Sequence, residues 1–178
     1  MRIIRGKYQR RIIQAPTSLP VRPTTDMAKE SLFNILNNLI DFEDLHVLDL
    51  FAGTGNISYE FVSRGSKVIA VDNNFHCIQF IHQTAEKLGM EHLKTAKSDV
   101  FQFIPQHHQK YNLIFADPPF DSPDYQKLVD LIFDQQVLQT DGILVIEHPI
   151  SISFSEHPKF TDQRHYGKVN FSFFSNEK

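Results

Sequence analysis

His46-Val47-Leu48-Asp49-Leu50-Phe51-Ala52-Gly53-Thr54-Gly55-Asn56 is the stretch that decides the fold. An apolar strand pattern runs into a turn with two glycines one residue apart, and a helical pattern over residues 56–64 follows. Such glycines let the chain turn sharply and let its backbone approach a ligand at the carboxyl edge of a sheet, where open α/β folds bind their ligands. The pattern predicts a nucleotide-like cofactor there. The dinucleotide fingerprint needs a third glycine at position 58, where this chain has Ser58, and that disfavours a pyrophosphate ligand. A plain strand-to-helix turn is the alternative for this loop taken alone.

Downstream, strand, loop and helix alternate. Strand patterns cover 67–72, 93–96, 111–117 and 142–147, and helical patterns cover 75–88, 100–104 and 124–137. Parallel strands need crossovers, so this alternation predicts a doubly wound, mostly parallel sheet covered on both faces. Residues 161–166 and 168–174, joined at Gly167, read as a closing antiparallel hairpin and bring the strand count to seven. Upstream, Thr24 or Thr25 can cap a helix over 26–39 with Ala28, Leu32, Ile35, Leu36 and Leu39 on one face. Pro16, Pro20 and Pro23 punctuate a linker before it. Residues 1–4 and 10–13, separated by a turn at Gly6, predict a hairpin arm. The chain is thus expected to be one domain over 1–178, with an arm over 1–22 and a body over 23–178.

Composition agrees with a single soluble domain: 178 residues, 41% hydrophobic and 22% charged, with 7 Gly, 9 Pro and one Cys. Collagen, coiled coil, disordered tail and disulfide scaffold are excluded. No run approaches the ~20 apolar residues of a membrane helix, and the first residues lack a signal-peptide pattern, so the cytoplasm is the expected location. Cys77 has no second thiol to pair with, which predicts a structural thiol in a reducing compartment. Charge is unevenly placed. Residues 1–25 hold six basic residues and no acid, whereas the rest holds 12 basic and 21 acidic residues. Arg5, Lys7, Arg10, Arg11 and Arg22 therefore form a basic arm suited to a polyanion, with a solvated basic strand pair as the bland alternative.

Carboxylates recur at strand ends. Asp72 lies 17 residues beyond Gly55, where it can accept both hydroxyls of a ribose. Asp99 can accept an adenine amine, cap the next helix, or do both. Asp117-Pro118-Pro119-Phe120 is the most informative of these sites. Two prolines make the backbone rigid and remove two N–H donors, which leaves the Pro118 carbonyl beside the Asp117 carboxylate as a fixed pair of acceptors. Such a pair holds the protons of a planar nucleobase amine and biases its nitrogen towards a pyramidal, nucleophilic form. Phe120 can stack on the base, a contact worth about 1–3 kcal/mol. Nine histidines form no ligand pattern, so no metal is expected, and no serine sits in a nucleophile-elbow context.

Together these features resemble class I S-adenosylmethionine-dependent methyltransferases, and the Asp-Pro-Pro-Phe tetrapeptide resembles those acting on amino nitrogens. The likeness extends to Met1-Arg2-Ile3-Ile4, Gly6-Lys7-Tyr8, Arg22-Pro23-Thr24-Thr25-Asp26, Lys29-Glu30-Ser31-Leu32-Phe33-Asn34 and Ser63-Arg64-Gly65. In that order they are similar to the ribosomal RNA small-subunit methyltransferase D family over nearly the whole chain. The resemblance implies a Rossmann-like fold and methyl transfer to the N2 amino group of a guanine, position 966 of 16S ribosomal RNA, in an assembling 30S particle, by a monomer. It also implies residue roles: Asp49, Phe51, Gly53, Thr54, Gly55, Asp72, Asn73, Asp99, Val100 and Asp117 around S-adenosylmethionine, with Asp49, Gly53 and Gly55 on its methionine side. Asp117, Pro118 and Phe120 would hold the guanine, Arg22 would contact RNA phosphate, and Thr24 would help close the pocket. Arg5 and Arg10 stand where the family commonly has glycine, Phe120 stands for the commoner tyrosine, and Gln83-Thr84 for a frequent asparagine. Two other readings stay open: an adenine-N6 or amide-nitrogen methyltransferase, and a non-catalytic RNA-binding assembly factor.

Overall fold

The computed structural model describes residues 1–21 and 24–176. Its elements run α1 (Asp26–Leu36), β1 (His46–Leu50), α2 (Asn56–Ser63), β2 (Lys67–Asp72), α3 (Phe75–Leu88), β3 (Leu93–Lys97), α4 (Val100–Gln106), β4 (Tyr111–Ala116), α5 (Tyr125–Asp134), β5 (Leu138–Pro149), β6 (Phe160–Tyr166) and β7 (Val169–Ser175). The seven strands form one sheet in the order β3-β2-β1-β4-β5-β7-β6. The first five are parallel, and β7 enters antiparallel between β5 and β6. This is the doubly wound sheet with an antiparallel end that the alternation predicts.

Strand side chains alternate between two cores. Val47, Val68, Ala70, Leu113, Phe115 and Val145 join Leu32, Phe33, Ile57, Phe61, Ile81 and Ala85 from α1, α2 and α3 on one face. Leu48, Leu50, Val71, Ile114, Leu144 and Ile146 join Val100, Ile104, Leu128, Val129 and Ile132 from α4 and α5 on the other. By the same alternation Asp49, Asp72, Asp117 and Glu147 belong to the α1–α3 face.

Some boundaries differ from the sequence pattern. Helix α1 stops at Leu36, where Asn37 caps it, and Leu39 is exposed. Strand β5 begins four residues early, because Leu138 pairs with Tyr111 before a register shift carries the strand past polar Gln139–Asp141. The arm is antiparallel: a bridge of Arg2 with Ile12 is flanked by backbone hydrogen bonds of Ile3 with Arg10 and Arg11 and of Met1 with Ile13. It lies on the body. Gly6 has φ +92°, and a Cβ there would sit 1.8 Å from the Ser63 carbonyl oxygen, so only glycine permits this approach. Around it the Lys7 and Tyr8 amides donate to the Ser63 carbonyl and hydroxyl, and the Ser63 hydroxyl donates to the Arg5 carbonyl. Arg10 sits at φ +70°, in the left-handed region that favours glycine.

A buried ionic knot locks arm, α1 and α2 together. Fully buried Glu60 accepts from the amides of Ile4 and Arg5 and from the Arg64 guanidinium, and Lys29 Nζ lies 3.8 Å away. Lys29 Nζ donates to the Arg2 carbonyl and to Asn56 Oδ1, while Asn56 Nδ2 donates to the Thr24 carbonyl. Asn56 is the residue that opens α2 after the glycine loop, so the arm is tied directly to that loop. No described helix is long and apolar enough to cross a membrane.

Candidate active site

The register aligns one row of residues across the carboxyl edge of the sheet. Leu50 pairs with Val71 and Ala116, and Ala116 pairs with Ile146. The next residues are Phe51 on β1, Asp72 on β2, Asp117 on β4 and Glu147 on β5. The Asp117 amide donates to the Leu50 carbonyl at 3.3 Å, and this continues the β1–β4 ladder one step beyond the strands. Sequence reading found the aspartates of this row and missed Glu147, although it follows the apolar run of the fifth parallel strand as they follow theirs.

At the glycine loop, Gly55 caps α2 with φ +78°, and a Cβ there would meet the Tyr59 ring at 2.8 Å. The Gly53 amide donates to Asp72 Oδ2 at 2.9 Å, and the Asn74 amide donates to Oδ1 at 2.8 Å. Each carboxylate oxygen has two lone pairs, so Asp72 keeps capacity for two further donors, as a ribose diol requires. Asn74 caps α3, and Asn73 is exposed beside Asp72. Asp99 is the N-cap of α4, with its carboxylate on the Gln102 amide, and Val100 is buried behind it. Phe51 takes φ +60° at the start of the turn, and Thr54 is buried. Val21 packs 3.7 Å from where a Gly53 Cβ would stand, and a recess of about 560 Å³ opens between residues 13–21 and Thr54.

The electrostatics are those of an acidic site short of cations. Burial pushes Asp49 up to about 7, opposed by the Ser58 hydroxyl on its Oδ2 and reinforced by Asp72. Burial, then the charges of Glu147 and Asp49, hold Asp117 well above the usual carboxylate range. Glu147, 8% exposed, is pushed by burial to about 7 although the Thr24 hydroxyl donates to its Oε2 at 3.2 Å. Among the described residues none of these acids forms an ion pair. A cationic ligand that lies along this edge would relieve their mutual repulsion. The Tyr125 hydroxyl donates towards the Pro118 and Pro119 carbonyls at 3.4 and 3.2 Å, which steadies the two-proline turn after Asp117; Tyr125 too escaped sequence reading. Phe120 is 65% exposed, and its ring is open to a partner.

Thr24 therefore meets the row through its hydroxyl on Glu147. Arg22 lies outside the described residues. Arg5, Lys7, Arg10 and Arg11 are all exposed on the arm. No described group of three or more His, Cys, Asp or Glu is placed to hold a metal ion.

The strand order and the position of this row at the carboxyl edge define a Rossmann-like class I methyltransferase. A family model described as "Conserved hypothetical protein 95" matches residues 1–175, and the chain belongs to that family. Ribosomal RNA small subunit methyltransferase D of Escherichia coli is 30% identical over 153 residues, covering 84% of this chain and 75% of the relative. A solved Escherichia coli chain, yhhF, proposed to be a methyltransferase, superposes with a TM-score of 0.85 at 24% identity, over 98% of this chain and 96% of the other. A SAM-dependent methyltransferase from Agrobacterium tumefaciens shares the fold with a TM-score of 0.64 at 18% identity, over 84% of this chain and 63% of its own.

Proposed function

We propose that this chain transfers a methyl group from S-adenosylmethionine to the N2 amino group of a guanine in 16S ribosomal RNA, the nucleotide at position 966. The observation that carries the reading is the rigid acceptor pair of Asp117 and the Pro118 carbonyl in line with Asp72 and beside the glycine loop. It receives an amine's two protons next to a cofactor cradle. The kinship with an enzyme named for small-subunit ribosomal RNA supports the substrate class.

S-adenosylmethionine supplies an electrophilic methyl group on a sulfonium. The chain's own residues fit such a ligand. Asp72 has lone pairs free for a diol, Asp99 and Val100 flank the place for an adenine, and a sulfonium near Asp49 would favour the ionised form that burial disfavours. Asp117 and Pro118 orient the acceptor nitrogen, and Phe120 stacks on its base, so catalysis rests on alignment and exclusion of water. A base inside a helix cannot reach these groups, so the target is unpaired or flipped out. The exposed arm cations Arg5, Lys7, Arg10 and Arg11 carry RNA affinity through phosphate contacts.

The test is transfer of labelled methyl from S-adenosylmethionine to 30S particles and naked 16S RNA lacking native modifications, with transfer RNA and duplex DNA as controls. Label in N2-methylguanosine from the ribosomal substrate is expected. Label in N6-methyladenine would move the acceptor to adenine, and cofactor binding with no transfer would leave an RNA-binding assembly factor.

A further inference from the structure

Glu147 is the one member of the carboxyl row that the proposed reaction does not use. It lies in β5 one residue beyond the Ala116–Ile146 pair, and Asp117 directly follows β4, so the two occupy neighbouring strand positions about 4.8 Å apart and share the α1–α3 face. Its partner on the other side, Phe171 of β7, brings no charge. The hydroxyl of Thr24 fastens one of its oxygens. The groups around the pair are Asp49 from β1, Tyr125 from α5 and Thr24 from the segment before α1, and Asp121 from the turn after β4 acts on Tyr125. His148, next in the chain, turns to the opposite face, where it meets Ser172 Oγ at 2.7 Å. No described residue offers the pair a cation.

We propose that Glu147 is a positioning residue acting through Asp117: the two adjacent carboxylates form a pair on which the proton leaving the acceptor nitrogen is lodged, and Thr24 holds Glu147 in place for it. The inference rests on the amino-group reading of the site and holds for a guanine or an adenine acceptor. In the step, the acceptor nitrogen bonds to the methyl carbon while the carbon–sulfur bond breaks and its electron pair goes to sulfur. The nitrogen is left cationic and gives one proton to Asp117, which shares it with Glu147. The reactive form has both carboxylates ionised. Two like charges side by side bind such a proton more tightly than either does alone, which suits a base working near neutral pH.

Substitutions at Glu147 and at Thr24 shift the pair in opposite directions. Glu147→Gln removes a like charge, so Asp117 ionises at lower pH. Thr24→Val removes a donor that favours ionised Glu147, so the pair ionises at higher pH. Carbon-detected NMR of side-chain carboxyls in the free protein, assigned with Glu147→Gln and Asp117→Asn, reads this without any substrate. The Asp117 midpoint is expected to fall by about one pH unit or more in Glu147→Gln, the Glu147 midpoint to fall reciprocally in Asp117→Asn, and the midpoints to rise in Thr24→Val. Methyl transfer should follow. The rising limb of kcat/KM against pH moves down in Glu147→Gln and up in Thr24→Val, kcat in Glu147→Gln drops about tenfold or more, and KM for S-adenosylmethionine is unchanged. Uncoupled carboxyl midpoints, or limbs that stay put or move together, would overturn the pair. Coupled midpoints with no transfer to any RNA would overturn the functional reading instead. Should Glu147→Gln fail to fold, the upward shift in Thr24→Val decides alone.

Discussion

Replacing Glu60 by Gln tests whether the buried knot is what fastens the basic arm to the body. The carboxylate serves four donors: Oε2 takes the Ile4 amide at 2.8 Å, and Oε1 takes the Arg5 amide, Arg64 Nε and Arg64 Nη2 at 2.9–3.1 Å. In its best orientation the amide keeps its oxygen on the Arg5 and Arg64 side and turns an NH2 towards the Ile4 N–H and the Lys29 ammonium. One backbone donor is then orphaned at about 1–3 kcal/mol. Lys29 and Arg64, both nearly fully buried, also lose their shared counter-charge. Breaking a buried pair costs about 3–5 kcal/mol, which sets the expected total. For a domain of this size that is a fall in Tm of about 6–20 °C. Thermal unfolding followed by circular dichroism measures it, and native-state hydrogen exchange at the Ile4 and Arg5 amides reports the local loosening. A loss under 1 kcal/mol with both amides still protected would refute the argument that this carboxylate holds the arm.

Other outcomes are as specific. Asp117→Ala should abolish methyl transfer while calorimetry shows cofactor affinity nearly intact; an active variant would sink the amino-group mechanism. Gly55→Ala, strained at φ +78° and clashing with Tyr59, should weaken cofactor binding about tenfold or more in the same titration. Arg10→Ala with Arg11→Ala should weaken RNA binding and reduce the slope of log K against log salt by about 2, and an unchanged slope would mean the arm touches no phosphate. Asp49 ionises near 7 in the fold and near 4 when unfolded, so its stabilising effect is full at low pH and is lost as pH rises through 7. Asp49→Asn, which keeps an acceptor for Ser58, should therefore gain stability over the unsubstituted chain at pH 8 and show no such gain at pH 4 in denaturant unfolding.

Much of this architecture is legible because it rests on local periodicity. The five parallel strands, the glycine loop and the closing hairpin each write their pattern in one short continuous stretch, and Asp72 and Asp117 announce themselves by ending apolar runs. What escapes is non-local. Glu147 also ends an apolar run, but only the β4–β5 register makes it Asp117's neighbour. Lys29 and Glu60 read as ordinary polar helix positions, and their burial becomes visible only once the arm is laid across α2. Gly6 reads from the sequence only as a hairpin turn, and its close approach to Ser63 of α2 becomes visible only in the tertiary structure. Strand β5 was foreseen too short because Gly142 looks like a boundary, while the register shift lets the chain stay extended through it.

The strand order has a bearing on how the chain comes together. β6 reaches the rest of the sheet only through β7, which follows it in sequence and slots between β6 and β5. During vectorial synthesis β6 has nothing to add to until β7 has emerged, so it joins the sheet with β7 as a ribbon or after it. Before β7 docks, β5 presents an unpaired edge along Ile143–Pro149, apolar over its first half. Unguarded edges of this kind template wrong pairings between chains. The interval between completion of β5 and capture of β7 is therefore the window in which a newly made molecule is most exposed to aggregation, and Glu147 lies on the strand whose edge is open.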